Sequence, residues 1–182
     1  MNTRNVLTGF FLVVAVLTQA AAALSRSVGG SVTILAHGTA GLRIEGRSSE
    51  VALESDASLL TFKVPIAPIE TGIGLRDRHL REVLEAEKFP AAILRVSRSG
   101  LTFPKEREPT EGIAKGELTL HGQSRPVEVR YRGELGKGGV TRGVVGSMHL
   151  DMRDFEIKSP SYLGVAVSPD VEVKVELTVE GA

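Results

Sequence analysis

The sequence predicts an all-β domain of eight antiparallel strands crossed once by a short amphipathic helix. Three observations carry that expectation. From Ser31 onward, apolar and polar residues alternate with a period of two in short runs. Turn-forming clusters of hairpin length separate the runs. A single segment, TGIGLRDRHLREVLEAEKFP at 71–90, abandons the alternation for charge at helical spacing.

The elements follow in order. SVTILAHG and GLRIEG read as the first strands, the second with Leu42 and Ile44 on one face and Arg43 and Glu45 on the other. EVALES and LLTFKVPI come next, and Leu60, Phe62, Val64 and Ile66 share a face. After the charged segment the pattern resumes in AAILRVSRSG, GELTL, PVEVRYRGEL and VTRGVVGSMHLDM. In the seventh and eighth of these runs, Val127, Val129 and Tyr131 oppose Glu128, Arg130 and Arg132, while Val144 and Val145 leave the inward face of 140–152 undecided. The last strand is the cleanest: Val171, Val173, Val175, Leu177 and Val179 alternate with Glu172, Lys174, Glu176, Thr178 and Glu180. Arg47-Ser48-Ser49, Ser99-Gly100, His121-Gly122-Gln123-Ser124 and Gly136-Lys137-Gly138-Gly139 punctuate the runs.

One-sided alternation means an antiparallel sheet with one wet face. Eight such strands give a closed barrel or a two-sheet sandwich, and long unpaired edges favour closure. The inward positions are slim aliphatics. Aromatics make up only 4% of the chain, with no Trp. A barrel lined this way keeps an apolar lumen, whereas a sandwich would interdigitate the same side chains into a filled core. Periodicity leaves both readings open.

Within the charged segment, Asp77 is placed to cap a helix over about 76–87, ended by Pro90. Leu80, Val83 and Leu84 form its apolar stripe, and Arg78/Glu82 and Arg81/Glu85 stand at ion-pair spacing on the other side. Such a helix lies over an apolar opening. There, Arg76 and His79 are suited to the anionic or polar head of a lipid. Catalysis at the same two residues is the competing reading, but no nucleophile elbow accompanies them. His37, His79, His121 and His149 are scattered without zinc-ligand spacing, so no catalytic or metal residue is assigned.

Composition excludes further classes. Twenty-two basic residues balance 22 acidic ones, which argues against nucleic-acid binding and a polybasic membrane anchor. At the N-terminus, Arg4 precedes an apolar run from Val6 to Leu17 and then Ala20-Ala21-Ala22-Ala23, the layout of a signal peptide at 1–23. That run falls short of the ~20 apolar residues of a membrane span, so no integral anchor is expected. The chain contains no cysteine, hence neither a lipidated cysteine nor disulfides. A periplasmic or secreted domain over 28–182 is therefore expected.

Several motifs in sequence order resemble the YceI-like family. They run from Ile69-Glu70-Thr71-Gly72 through Arg76-Asp77-Arg78-His79-Leu80 to Lys88-Phe89-Pro90. Gly116-Glu117-Leu118-Thr119-Leu120-His121-Gly122 with Arg125-Pro126-Val127 is similar to the family's hairpin, and Arg153-Asp154-Phe155-Glu156-Ile157 to its R-x-D-F-G-I segment. The likeness spans roughly 59–180. The first strand lacks the family's His-Ser and Phe, Val83-Leu84 replaces a Phe, and Glu156 stands where the family has Gly.

The resemblance implies a lipocalin-like eight-stranded barrel that binds a polyisoprenoid or quinone-like lipid and performs no chemistry. Its lumen would be lined by Val64, Ile66, Leu80, Leu84, Ile93, Val129, Tyr131, Val144, Met148, Phe155, Val173 and Val175, with Arg76, His79 and Tyr162 at the head group. No cofactor is expected beyond that lipid, and no nucleic-acid partner; a homodimer is left open. A filled-core envelope interaction module is the alternative, and a hydrolase at the Arg76/His79 mouth a further one.

Overall fold

The computed structural model describes residues 24–26, 29–104, 108–135, 141–162 and 165–180. The expected signal peptide, the Gly136–Gly139 turn and the side chains of Tyr162 and Val179 lie outside them. The strands are β1 (Leu24–Arg26), β2 (Gly29–Gly38), β3 (Arg43–Ser48), β4 (Ala52–Ser55), β5 (Leu59–Pro65), β6 (Ala91–Ser97), β7 (Thr110–Leu120), β8 (Gln123–Leu135), β9 (Thr141–Asp151), β10 (Ser161–Tyr162) and β11 (Val165–Glu180). Helix α1 (Gly74–Val83) separates β5 from β6. Among the described residues nine strands have four residues or more, against eight expected, and the sheet takes in Leu24–Arg26, ahead of residue 28.

All eleven strands belong to one curled antiparallel sheet in the order β1-β4-β5-β6-β7-β8-β9-β11-β2-β3, with β10 beside β11. Register explains why a single face turns inward. Val173 of β11 lies opposite Met148 of β9 and Ile34 of β2, and Val175 opposite Gly146 and Val32. Val144 therefore joins the inward row while Val145, 38% exposed, stands outside.

The curl does not close through a ladder. Its seam, between β3 and the link leading to α1, is held by one two-bond bridge: Arg47 N–H donates to Glu70 O at 2.8 Å, and Glu70 N–H to Arg47 O at 2.9 Å. Ile69, only 1% exposed, plugs this seam. It fits because Gly46 has no side chain: a Cβ there would stand 3.1 Å from Ile69 Cγ2.

Helix α1 starts earlier and stops sooner than its sequence suggests. Its N-cap is Ile73, and Asp77 lies inside the first turn. At the other end Ala86 N–H donates to Arg81 O at 2.9 Å and Glu85 N–H to Glu82 O at 3.1 Å, with Glu85 left-handed at φ 46°. This is a Schellman ending, usually given to glycine because it avoids the Cβ penalty. The helix thus stops before Pro90 is reached. Neither Arg78/Glu82 nor Arg81/Glu85 pairs among the described residues; Glu85 turns instead to Lys88 (3.5 Å) and His121 (3.2 Å).

Candidate functional site

Inside the curl lies a lumen of about 820 Å³, toward the upper end of the ~300–1,000 Å³ of small-molecule sites. The interior is therefore hollow, and the filled-core expectation does not hold. Eleven of the twelve lining residues expected from sequence face it: Val64, Ile66, Leu80, Leu84, Val129, Tyr131, Val144, Met148, Phe155, Val173 and Val175. Ile93 does not. On β6 the inward row is Ala92, Leu94 and Val96; Ile93 pairs with Lys63 and Thr119 on the outer face, one residue off the inward row. Ile93, expected inward with the other slim aliphatics, shares its strand face with exposed Arg95 two residues on.

Two structures end the lumen. At one end α1 presents Leu80, Val83 and Leu84 inward, beside Phe155 and Ile157. Phe155, 2% exposed, belongs to a short 3₁₀ turn at Met152–Phe155. That turn exits through Glu156 in the left-handed region, φ 57°. The Phe155 carbonyl can only accept, so His121 Nδ1, 3.0 Å away, donates to it; His121 Nε2 stands 3.2 Å from Glu85 Oε1. Phe89 meets the same imidazole edge-to-face at 5.0 Å. His121 thereby joins the β7–β8 hairpin to the Phe155 turn by a hydrogen bond and to the segment after α1 by its contact with Phe89.

Arg76 and His79 are on the lumen wall at this end, Arg76 half-buried and His79 exposed. Arg76 has no ion-pair partner among the described residues. Tyr162 is placed in β10, but its side chain lies outside the described residues. Among the described residues no Asp or Glu contributes to the wall, and its ionisable side chains at this end are Arg76 and His79.

Asp77 has a different task from capping forward. Its carboxylate reaches back, accepting from Thr71 N–H at 2.7 Å and from the Thr71 hydroxyl. These bonds, with smaller contributions from Arg81 and Arg76, hold its carboxyl below the ordinary value of 3.8. The sign follows: a depressed folded-state pKa adds stability that is present above pH 3.8 and is lost as pH falls through the lower folded value. Lowering pH below 3.8 should release α1 from the seam. A thermal-melt series against pH should fall more steeply in that window for the wild type than for Asp77→Asn. Parallel slopes would refute the role.

The opposite end was missed by sequence reasoning. Arg98, Leu101, Thr102, Phe103 and Pro104 contribute to the wall there, with Ser55 and Thr110. The only signal was Leu-Thr-Phe-Pro after the Ser99-Gly100 turn, an apolar run too short to be a strand. Tyr131 reaches this end across Gly112, where a Cβ would come within 2.8 Å of its hydroxyl.

Comparison with known proteins agrees with this geometry. The family model described as YceI-like domain matches residues 19–179. A UPF0312 protein of Shewanella denitrificans is 35% identical over 143 residues, covering 75% of this chain and 70% of that protein. One from Pseudomonas savastanoi is 29% identical over 134 residues, covering 70% and 67%. Among solved structures, a polyisoprenoid-binding domain from Saccharophagus degradans superposes with a TM-score of 0.69 at 15% identity, over 87% of this chain and 98% of that one. BcnA of Burkholderia cenocepacia gives 0.62 at 16% identity, over 82% and 96%.

Proposed function

This chain belongs to the YceI-like family, and from that membership and the shape of its interior we propose that it is a non-catalytic binding protein for an amphiphilic lipid of the polyisoprenoid or isoprenoid-quinone type, working in the periplasm or outside the cell. The observation that carries the reading is the 820 Å³ lumen, walled almost wholly by aliphatic side chains. Burial of a prenyl tail there would contribute ~0.8 kcal/mol per CH₂-sized unit before ordering costs, so a few isoprene units suffice for tight retention. A polyisoprenoid-binding domain with the same fold supports the choice of lipid class. No helix among the described residues is long and apolar enough to cross a membrane.

Organic extraction of the protein purified from its native envelope fraction, followed by mass spectrometry, tests the reading. A co-purifying long-chain isoprenoid is expected. Repeated absence of lipid from that fraction would overturn it, and recovery of the protein only from cytoplasm would overturn the location.

Arg76 and His79 would take the polar head at the helix end. Arg76→Ala should weaken retention of the extracted lipid while leaving the melting temperature nearly unchanged, because no carboxylate is ion-paired with the guanidinium among the described residues. A fall of several degrees would instead make Arg76 a structural residue.

A further inference from the structure

The end of the lumen remote from α1 carries polar groups that the reading above does not use. Residues 98–104 form a strap across it. Arg98 N–H donates to Ser58 O at 2.9 Å, and the Arg98 guanidinium donates through Nη1 to Ser55 Oγ at 2.7 Å. The guanidinium carbon also stands 5.1 Å from the centre of the Phe103 ring. Farther along, Thr102 N–H donates to Tyr131 Oη at 2.9 Å, and Pro104 reaches Gly133 beside Thr110 Oγ1.

These groups have donors to spare. A guanidinium offers five N–H groups, and one is spent on Ser55. Tyr131 accepts from Thr102, and its own O–H proton has no acceptor among the described residues. Thr110 Oγ1 is buried and has no hydrogen-bond partner among the described residues. Among the described residues no carboxylate pairs with Arg98. Asp56 is close enough to feel its charge, but that carboxylate already accepts from the Ser58 and Leu59 N–H groups and the Ser58 hydroxyl. A half-buried cation and a buried unpaired hydroxyl are both costly to leave unanswered. Arg98 is meanwhile held in place from two sides, so little freedom remains to be lost on binding.

We propose that this end is a second polar subsite, in which Arg98 receives the carboxylate or phosphate terminus of a single-chain amphiphile lying in the lumen, with Tyr131 and Thr110 on the same lumen wall. The proposal rests on the lipid-binding reading and adds to it a preference for acidic ligands and a direction for one of the chain's ends. The lumen is then basic at both ends and apolar between, so a chain with an acceptor group at each terminus meets a cation at each.

Displacement of an apolar fluorescent dye from the full chain by hexadecanoate and by hexadecanol separates the possibilities. Wild type should take the acid more tightly than the alcohol. Arg98→Gln should weaken the acid by roughly ten- to a hundredfold, the worth of a charge-assisted hydrogen bond, and leave the alcohol unchanged. Arg98→Lys should keep part of the acid preference. Should Arg98→Gln fold poorly, Tyr131→Phe serves in its place, with a smaller loss confined to the acid. Equal acid affinity in Arg98→Gln and wild type, or an equal loss for acid and alcohol, would overturn the subsite while the lumen reading stands. Uptake of neither chain by wild type would remove the lumen reading, and the subsite with it.

Discussion

Gly146→Phe should abolish uptake of a long-chain lipid while the sheet melts at or above its normal temperature. Gly146 lies halfway along β9 on the inward row, opposite Val175 and Tyr131. A Cβ there would touch only Val129 Cγ1, at an ordinary 3.4 Å, so the new ring enters the lumen. Glycine inside a strand is weakly stabilising at best, and an aromatic replacement suits a pleated surface better. Displacing roughly five carbons of a bound tail costs about 4 kcal/mol, or about a thousandfold in affinity. Val145→Phe is the control. Its side chain is on the outer face, so lipid uptake and melting temperature should both stay near wild type. Titration of the two variants with the same lipid checks the pair; equal binding by both would mean that the lumen is not where the tail lies.

The second large effect is expected at Phe155. Its ring is among the most deeply buried in the protein and packs in the cluster with Leu118, Leu150, Ile157 and Val171. Phe155→Ala should destabilise by about 3–5 kcal/mol, from lost transfer energy and the cavity left behind. At this chain length that is a fall of about 10 °C in melting temperature. Because the Phe155 carbonyl also anchors His121, and His121 stands against Glu85 of the helix exit, the damage should spread to the helix end of the lumen. Retained lipid should then dissociate faster than melting alone accounts for. Phe155→Leu should recover most of the stability. A melting temperature within about 2 °C of wild type for the alanine variant would show that the site collapses without cost, contrary to the packing argument.

Much of the fold was legible in the chain because a two-residue period is a local property. Wherever every second residue had to meet an apolar interior, the sequence recorded it, and eleven of twelve expected lining residues face the lumen accordingly. Ile93 misled because its aliphatic character was weighed without Arg95, two residues on and on the same face. Val144 and Val145 were ambiguous for a related reason: where two adjacent residues are both apolar, a period of two has no phase. The charged helix was visible too, but not the task of Asp77, which reaches back six residues to Thr71 instead of forward along its own turn.

What the sequence by itself determined was a one-faced antiparallel sheet with slim inward side chains and one amphipathic helix, since each of those depends on neighbours within a few positions. Tertiary structure alone decided three things: the phase of β9, set by its register with β11; the seam, held by a single bridge and the Ile69 plug; and the polar end at Arg98. That guanidinium meets Ser55, 43 residues earlier, and its strap meets Tyr131, 29 residues later than Thr102. No local pattern encodes such meetings, because they arise only when the curled sheet brings the ends of distant strands to one rim.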